Sequence, residues 1–436
     1  MKAELFAPHV EHRLAESKVA MATSGIKRLC IFSGAECCPF QDDLPYPFRA
    51  NAYFKTWVPL HRPGCILVIE LEANRPRLLL LEEEDYWHSR PPVPSPIIEE
   101  CFEVSRYPSI DDVFRAVPGG SGTALVGKLP QAATSRMRPC DLNPLPLLEL
   151  LDEGRARKTP WELHNIRCAN QAAAVGHRRA LELFQEGASE LDIHLGYLEA
   201  LRCSEYELPY GNIIAINENA AVLHHWLLNR DRPQQPQSLL IDAGASHLGY
   251  AADVTRTHAA REGAFKDLVL AMDTLQTSIA ERARPGASFV EMHCAAINEI
   301  GALLNRTGVI RIDAEHADFD RVVTSFFPHG LGHFLGSQVH DRSGKQQDDA
   351  RYPHLRLTRT LEPGNVVTIE PGLYFIPMLL DNLWHSGARS CVNWGLVEQL
   401  LPYGGIRVED DLVITDEGSE NLTRAAFDTD KLSVPA

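Results

Sequence analysis

The chain has 436 residues, more than one hydrophobic core usually supports, so two or three domains are expected. Its composition, 44% hydrophobic and 23% charged, is that of a folded globular protein. A net charge of -16 excludes the classes that bind nucleic acid or anionic membranes, whose phosphates such a surface repels.

The start, Met1-Lys2-Ala3-Glu4, leads into polar sequence with no apolar stretch of the secretory kind. No apolar run reaches the roughly 18 residues of a transmembrane helix. The ten cysteines are scattered without a CxxC pair, and Cys37 and Cys38 are adjacent, which suits reduced thiols in a cytoplasmic protein. Through residue 157 the pattern is mixed α/β. Apolar runs at Arg28 to Phe32, Ile66 to Ile69, Leu78 to Leu81 and Ala124 to Val126 predict buried strands. The Pro-rich connection Arg90-Pro91-Pro92-Val93-Pro94-Ser95-Pro96 cannot be helix interior.

A boundary is expected there, with the second domain spanning 158–436. Thr159-Pro160-Trp161-Glu162 is a capping box, with Thr159 as N-cap, Pro160 at the first helical position and Glu162 reaching back. The helix it opens runs through Leu163, Ile166 and Ala173. A second begins at Ser189 and carries Leu191, Leu195, Leu198 and Leu201. A third cap, Ser288 to Glu291, opens a helix through Ile297, Ile300 and Leu304. Strand-like segments at 211–217, 238–243, 250–256, 365–370 and 405–414 interleave with these helices, predicting one large α+β domain.

Several acids fall inside those apolar strands. Ser238-Leu239-Leu240-Ile241-Asp242 is a buried-strand pattern ending on a carboxylate, and Asp253 follows in Tyr250-Ala251-Ala252-Asp253-Val254. A hairpin turning near His247-Leu248 would set the two aspartates opposite each other on one face. Singly, each could cap a turn or face solvent. As a close pair they would repel, and a divalent cation between them removes the conflict. Glu370 ends the strand pattern Val366-Val367-Thr368-Ile369, and in Ile406-Arg407-Val408-Glu409 the alternation puts Arg407 and Glu409 on one face. Buried unpaired, these acids would be costly; exposed edge strands are the alternative. Histidines gather in Phe327-Pro328-His329-Gly330-Leu331-Gly332-His333, with His340 beyond. The HxxxH spacing there lacks the glutamate of a zincin helix, and its glycines break a helix while letting backbone crowd a site. Four carboxylates and one imidazole form an oxygen-rich set suited to two Mn²⁺ or Co²⁺ ions, with Zn²⁺ a further alternative. Two such ions lower the pKa of a shared water, which is hydrolase chemistry.

Six segments together resemble a known family. They are Leu240-Ile241-Asp242-Ala243-Gly244, Tyr250 to Thr257, Pro328 to His333, Gln338-Val339-His340-Asp341, Thr368 to Tyr374 and Gly404 to Asp410. In this order they are similar to the bacterial Xaa-Pro dipeptidases (prolidases). These are pita-bread metallopeptidases, alongside aminopeptidase P, methionine aminopeptidase and creatinase. Leu208-Pro209-Tyr210-Gly211-Asn212 and Tyr46-Pro47-Phe48 resemble the prolidases in particular. The resemblance implies a pita-bread catalytic domain behind a smaller α/β domain that helps form a homodimer. It implies hydrolysis of Xaa-Pro dipeptides by a water shared between two metals. Asp242 would chelate one metal, Asp253 and Glu409 would bridge both, and His333 and Glu370 would complete the second site. Glu370 would also shuttle a proton to the leaving proline nitrogen. His224 and His340 would contact the scissile peptide, although His225 stands where the family more often has tyrosine. His329 and Arg407 would meet the proline carboxylate, Tyr210 would wall the pocket and Asp43 would bind the substrate's amino group. Removal of an N-terminal residue from longer peptides, as by aminopeptidase P, is the rival activity. A pita-bread binding protein that has lost its metals would show ligand losses, and none is visible.

Overall fold

The computed structural model describes residues 2–84, 86, 87, 89, 94–117, 119–129, 140–344 and 351–428. Two compact units form, Met1–Arg155 with Thr159–Glu162, and Ala156–Lys158 with Leu163–Ala436. Residues 90–93 of the Pro-rich connection lie outside the described residues, and Pro96 occupies the first turn of the helix that follows.

In the first unit the four apolar runs become strands β1 (Arg28–Phe32), β2 (Ile66–Glu70) and β3 (Arg77–Leu81), then, beyond β4 (Glu103–Tyr107), β5 (Thr123–Val126). With β6 (Asp141–Leu142) they make a six-stranded sheet ordered β4-β3-β2-β1-β5-β6. Strand β1 runs antiparallel to β2 and parallel to β5. Helix α1 (Ala3–Thr23) is absent from the sequence reading because its inward face is partly polar. His9, Arg13 and Ser17 are buried beside Phe6, Val10 and Met21. His9 bonds Thr159 Oγ1 at 2.8 Å and the Thr56 carbonyl at 2.7 Å, and Arg13 donates to Glu162 and to the Gly154 carbonyl. Those partners satisfy groups that apolar periodicity counts as surface.

The capping box forms as expected. Thr159 N–H donates to Glu162 Oε2 at 2.8 Å and Glu162 N–H to Thr159 Oγ1 at 3.4 Å, opening α2 (Pro160–Gln185). Ser189 and Asp192 cap α3 (Glu190–Leu201). The inward face of α3 departs from the leucine stripe: Leu195 is exposed, and Glu190, Ile193, His194, Tyr197 and Leu201 point in. Two of those five are polar, so a hydrophobicity stripe misplaces the face.

The second unit holds β7 (Ile213–Ile216), β8 (Ser238–Asp242) and β11 (Thr255–Ala259) in a sheet ordered β11-β8-β7, with β9 (Ser246–His247) and β10 (Tyr250–Ala251) as a small hairpin. Strands β12 (Val366–Ile369), β15 (Asp410–Ile414) and β16 (Ser419–Asn421) form another sheet, and β13 (Gly372–Tyr374) pairs with β14 (Gly405–Arg407). Helices α4 (Ala264–Ala280) and α5 (Phe289–Arg306) cover the sheets through Met272, Ile279, Phe289, Ile297, Ile300 and Leu304, all in the largest apolar core. Ser288 caps α5 by accepting from Glu291 N–H at 3.4 Å. The segments expected as single strands at 250–256 and 405–414 are each broken in two, and Asp253 and Glu409 occupy the breaks. Among the described residues no helix is long and apolar enough to cross a membrane.

Candidate metal centre

Asp242 ends β8, a strand flanked on both sides, so its carboxylate emerges from a sheet interior. The hairpin turns at Leu248 and Gly249, but the aspartates are not opposite each other. Asp242 faces Thr255 across the ladder, and the same register sets Asp253 opposite Gly244. Asp253 is thus a diagonal neighbour of Asp242 on the same face. A methyl group on Gly244 would lie 2.2 Å from the Ala252 carbonyl oxygen, so glycine there lets the two strands close.

Thr255 links this hairpin to the acid at 409. It exchanges backbone hydrogen bonds with Glu409, and its hydroxyl donates to Glu409 Oε2 at 2.6 Å. Arg407 Nε reaches the same hydroxyl at 3.3 Å, so Arg407 and Glu409 share a face as their alternation requires. His333 is locked to β12: its N–H donates to Thr368 Oγ1 at 3.1 Å, and Thr368 N–H to its carbonyl at 2.9 Å. Glu370 N–H donates to the Leu331 carbonyl at 2.8 Å, placing its carboxylate beside the histidine. Gly332 permits this pairing, since a methyl group there would lie 2.0 Å from the Thr368 carbonyl oxygen.

The result is one buried cluster. Asp253, His333 and Glu409 each offer a ligand atom within 4.8 Å of the others. Glu370 Oε1 lies 3.7 Å and Asp253 Oδ2 3.4 Å from His333 Nε2. His333 Nδ1 is 3.0 Å from the Phe334 carbonyl, which can only accept, so Nδ1 carries a proton and Nε2 is the free ligand atom. Electrostatics reflect crowding. Burial, followed by the charges around it, holds the Glu409 carboxyl well above its usual range, and Asp242 is also raised, chiefly by burial. Burial pushes Glu370 up to about 7. Burial alone would lower His333, but Asp253 and Glu370 outweigh it and lift it to about 9. Asp253 is held down by those contacts with His333, against its burial. Protons and Arg407 thus supply the positive charge that this acid-rich donor set requires, the role divalent cations would fill.

Around the cluster a hydrogen-bonded chain runs through a residue to which the sequence reading assigned no role. Arg407 Nη2 lies 2.7 Å from Asp242 Oδ2, and Nη1 donates to Tyr374 Oη at 2.8 Å. The Tyr374 hydroxyl donates to His329 Nε2 at 2.8 Å, because His329 Nδ1 is committed to the Gly330 carbonyl. Burial, with Arg407 nearby, drops His329 to about 3, so it is a neutral acceptor. Tyr374 stood within a segment carrying the family resemblance, but its hydroxyl pairing is legible only in three dimensions. Tyr210, expected as a pocket wall, donates its hydroxyl to Asp242 Oδ1 at 2.8 Å. Asp411, also without a role in the sequence reading, is fully buried and accepts from Asp253 N–H at 3.1 Å and Asn170 Nδ2 at 2.8 Å. His340 packs edge-on to His333, with ring centroids 4.5 Å apart. Of the adjacent histidines, His225 is bonded to Glu190 at 2.8 Å. His224 is a neighbour of His329 and His340. Asp43 belongs to the first unit, where it is exposed.

Comparison with known proteins identifies the family. Residues 164–416 match Metallopeptidase family M24, and residues 4–152 match the Xaa-Pro dipeptidase, N-terminal domain. The chain is 41% identical over 434 residues to the Xaa-Pro dipeptidase of Xanthomonas euvesicatoria pv. vesicatoria, covering 97% of this chain and 98% of that one. It is 40% identical over 433 residues to the Xaa-Pro dipeptidase of Stenotrophomonas maltophilia, covering 97% of each. Among solved structures, zinc-substituted E. coli aminopeptidase P in complex with product superposes with a TM-score of 0.75 at 23% identity over 95% of each chain. Proline aminopeptidase P II from Yersinia pestis gives 0.73 at 24% identity over 96% of each. At those identities the solved structures establish the shared pita-bread fold.

Proposed function

The chain belongs to metallopeptidase family M24, and we infer on that premise that it hydrolyses Xaa-Pro dipeptides and releases proline. The observation that carries this reading is the convergence of Asp253, His333 and Glu409, with Asp242 and Glu370 adjoining, in a chain that is 41% identical over 97% of its length to an Xaa-Pro dipeptidase. The donor set fits two divalent cations: four carboxylates, Asp253 and Glu409 buried and Asp242 and Glu370 partly buried, face one available imidazole nitrogen and one guanidinium. Asp242, Asp253, His333, Glu370 and Glu409 would hold them. Manganese is the ion we propose, with cobalt or zinc as alternatives, given the oxygen-rich ligands. When bound, such a pair supplies Lewis acidity and brings the pKa of water towards neutrality.

The chain's own groups divide the remaining work. Glu370, with its carboxyl raised to about 7 by burial, is suited to take the proton of the attacking water and return it to the departing proline nitrogen. His224 and His340, the latter packed against His333, would donate to the peptide carbonyl as charge develops on its oxygen. Arg407 and His329 would receive the proline carboxylate. The Tyr374 hydroxyl joins the two, so the guanidinium cannot swing without breaking a buried hydrogen bond. Tyr210 holds Asp242 in place. Asp43, supplied across a homodimer in the cytoplasm, would bind the amino group of the substrate.

Aminopeptidase P activity is the second reading, favoured by the TM-score of 0.75 to that enzyme. Hydrolysis of Ala-Pro and of Ala-Pro-Ala by chelator-stripped protein, before and after Mn²⁺ is restored, separates the two. Metal-dependent cleavage of the dipeptide alone supports the prolidase reading; preference for the tripeptide replaces it with the second.

A further inference from the structure

Glu190 is the first residue of α3 and is 1% exposed, yet its carboxylate has no lysine or arginine partner among the described hydrogen bonds and ion pairs. Four donors satisfy it instead. Oε1 accepts from Ile216 N–H and Asn219 Nδ2, and Oε2 from His225 Nε2 and Asn229 N–H, each at 2.8 Å. All four donors lie between residues 216 and 229. Past Ile216, the last residue of β7, that segment contains one short 3₁₀ turn (Asn217–Ala221) and no strand, and it carries His224. Ile216 and Ala220 are buried and Leu223 and Leu228 pack against apolar cores, but the side chains around His224 anchor it less: Val222 is 53%, Trp226 66% and Leu227 87% exposed. His224 rests against Trp226 with parallel rings 5.4 Å apart, a contact made within the segment itself. A loop with little apolar burial opens easily unless polar contacts tie it down. Here one buried anion grips it at both ends and in the middle.

We propose that Glu190 is a positioning residue for the reaction: its buried carboxylate fixes the 216–229 segment so that His224 is presented to the substrate's peptide bond. The inference rests on the proposed role of His224. His225 acts through the same carboxylate. Its ring is bonded to Glu190, so the second histidine of the pair is a tether for the first. Glutamine at position 190 keeps the volume and one acceptor oxygen. Its amide, however, meets the Asn229 N–H with a donor, which leaves that group unsatisfied.

The test uses the full-length, Mn²⁺-reconstituted protein with Glu190→Gln, His224→Ala and the double variant. It reads kcat and KM on Ala-Pro, bound metal, and amide hydrogen exchange across 216–229. Displacing a reacting group by about 1 Å costs about 10²-fold in rate, so Glu190→Gln should lower kcat by up to that factor with bound metal unchanged. In the His224→Ala background it should add less than about twofold, because the group it positions is gone. Exchange at Asn229 should speed by at least about tenfold, as its amide loses its acceptor. Should Glu190→Gln fail to fold, His225→Phe and Asn219→Ala each remove one tether and should shift the same readouts in the same direction. Equal losses in both backgrounds would overturn the proposal, as would wild-type exchange across the segment. If the wild-type protein leaves Ala-Pro uncut, the substrate reading fails by itself, and unaltered exchange in Glu190→Gln still refutes the clamp.

Discussion

Gly332→Ala tests how the imidazole ligand is placed. The new methyl group would lie 2.0 Å from the carbonyl oxygen of Thr368, 2.8 Å from its carbonyl carbon and 2.9 Å from its hydroxyl. Two of those atoms are backbone, so no rotamer change relieves the clash, and the chains must part by more than an ångström. Parting breaks the two hydrogen bonds that join His333 to Thr368 and strains the one from Glu370 to Leu331. Overpacking of a tight interior costs about 1–3 kcal/mol. Two lost hydrogen bonds add about 1 kcal/mol each, for a total of about 3–5 kcal/mol. Because His333 and Glu370 would move together, activity should fall by about 10²-fold even in protein that folds. Urea unfolding of the chelator-treated protein and Ala-Pro turnover after Mn²⁺ addition read the two effects separately. A variant with wild-type stability and turnover would refute the claim that the 332–368 approach sets the ligand geometry.

Asp253→Ala and Glu409→Ala should each abolish turnover and release metal, since each lies in the three-ligand cluster; retention of two tightly bound ions by either variant would count against the site. Arg407→Ala should chiefly raise KM for Ala-Pro, if the guanidinium holds the carboxylate equally in ground and transition states; a pure loss of kcat would assign it to orienting Asp242 instead. His177 is buried behind the hairpin, donates Nε2–H to the Ala243 carbonyl at 2.9 Å, and is pushed by burial from 6.5 to about 3. Its folded value is depressed, so between those values the unfolded chain binds the extra proton. Its contribution is therefore complete above pH 6.5 and is lost as pH falls. Relative to His177→Gln, which keeps a donor and does not titrate, the wild-type protein should lose about 2 kcal/mol of stability between pH 6.5 and 5. A difference independent of pH would show that the imidazole takes up its proton in the fold as readily as in the unfolded chain.

The acids proposed to bind metal were legible in the sequence because they sit against local patterns that would otherwise be apolar. Asp242 and Glu370 end runs of β-branched and leucine residues, and Arg407 and Glu409 alternate with Ile406 and Val408. Capping at Thr159, Ser189 and Ser288 was equally readable, because a cap is decided within four residues. Helix α1 and the inward face of α3 were not, since they bury His9, Arg13, Glu190 and His194, whose partners come from elsewhere in the chain. Periodicity reports hydrophobicity alone and counts a satisfied buried polar group as surface. The diagonal register of Asp242 and Asp253, the Tyr374 hydroxyl between Arg407 and His329, and the tethering of His225 share that origin. Local sequence determined which side chains could bind metal and where helices begin. The tertiary structure decided which of them meet, because hydrogen bonds between residues 30 to 165 positions apart cost nothing to omit from a local pattern and fix geometry only once the sheets close.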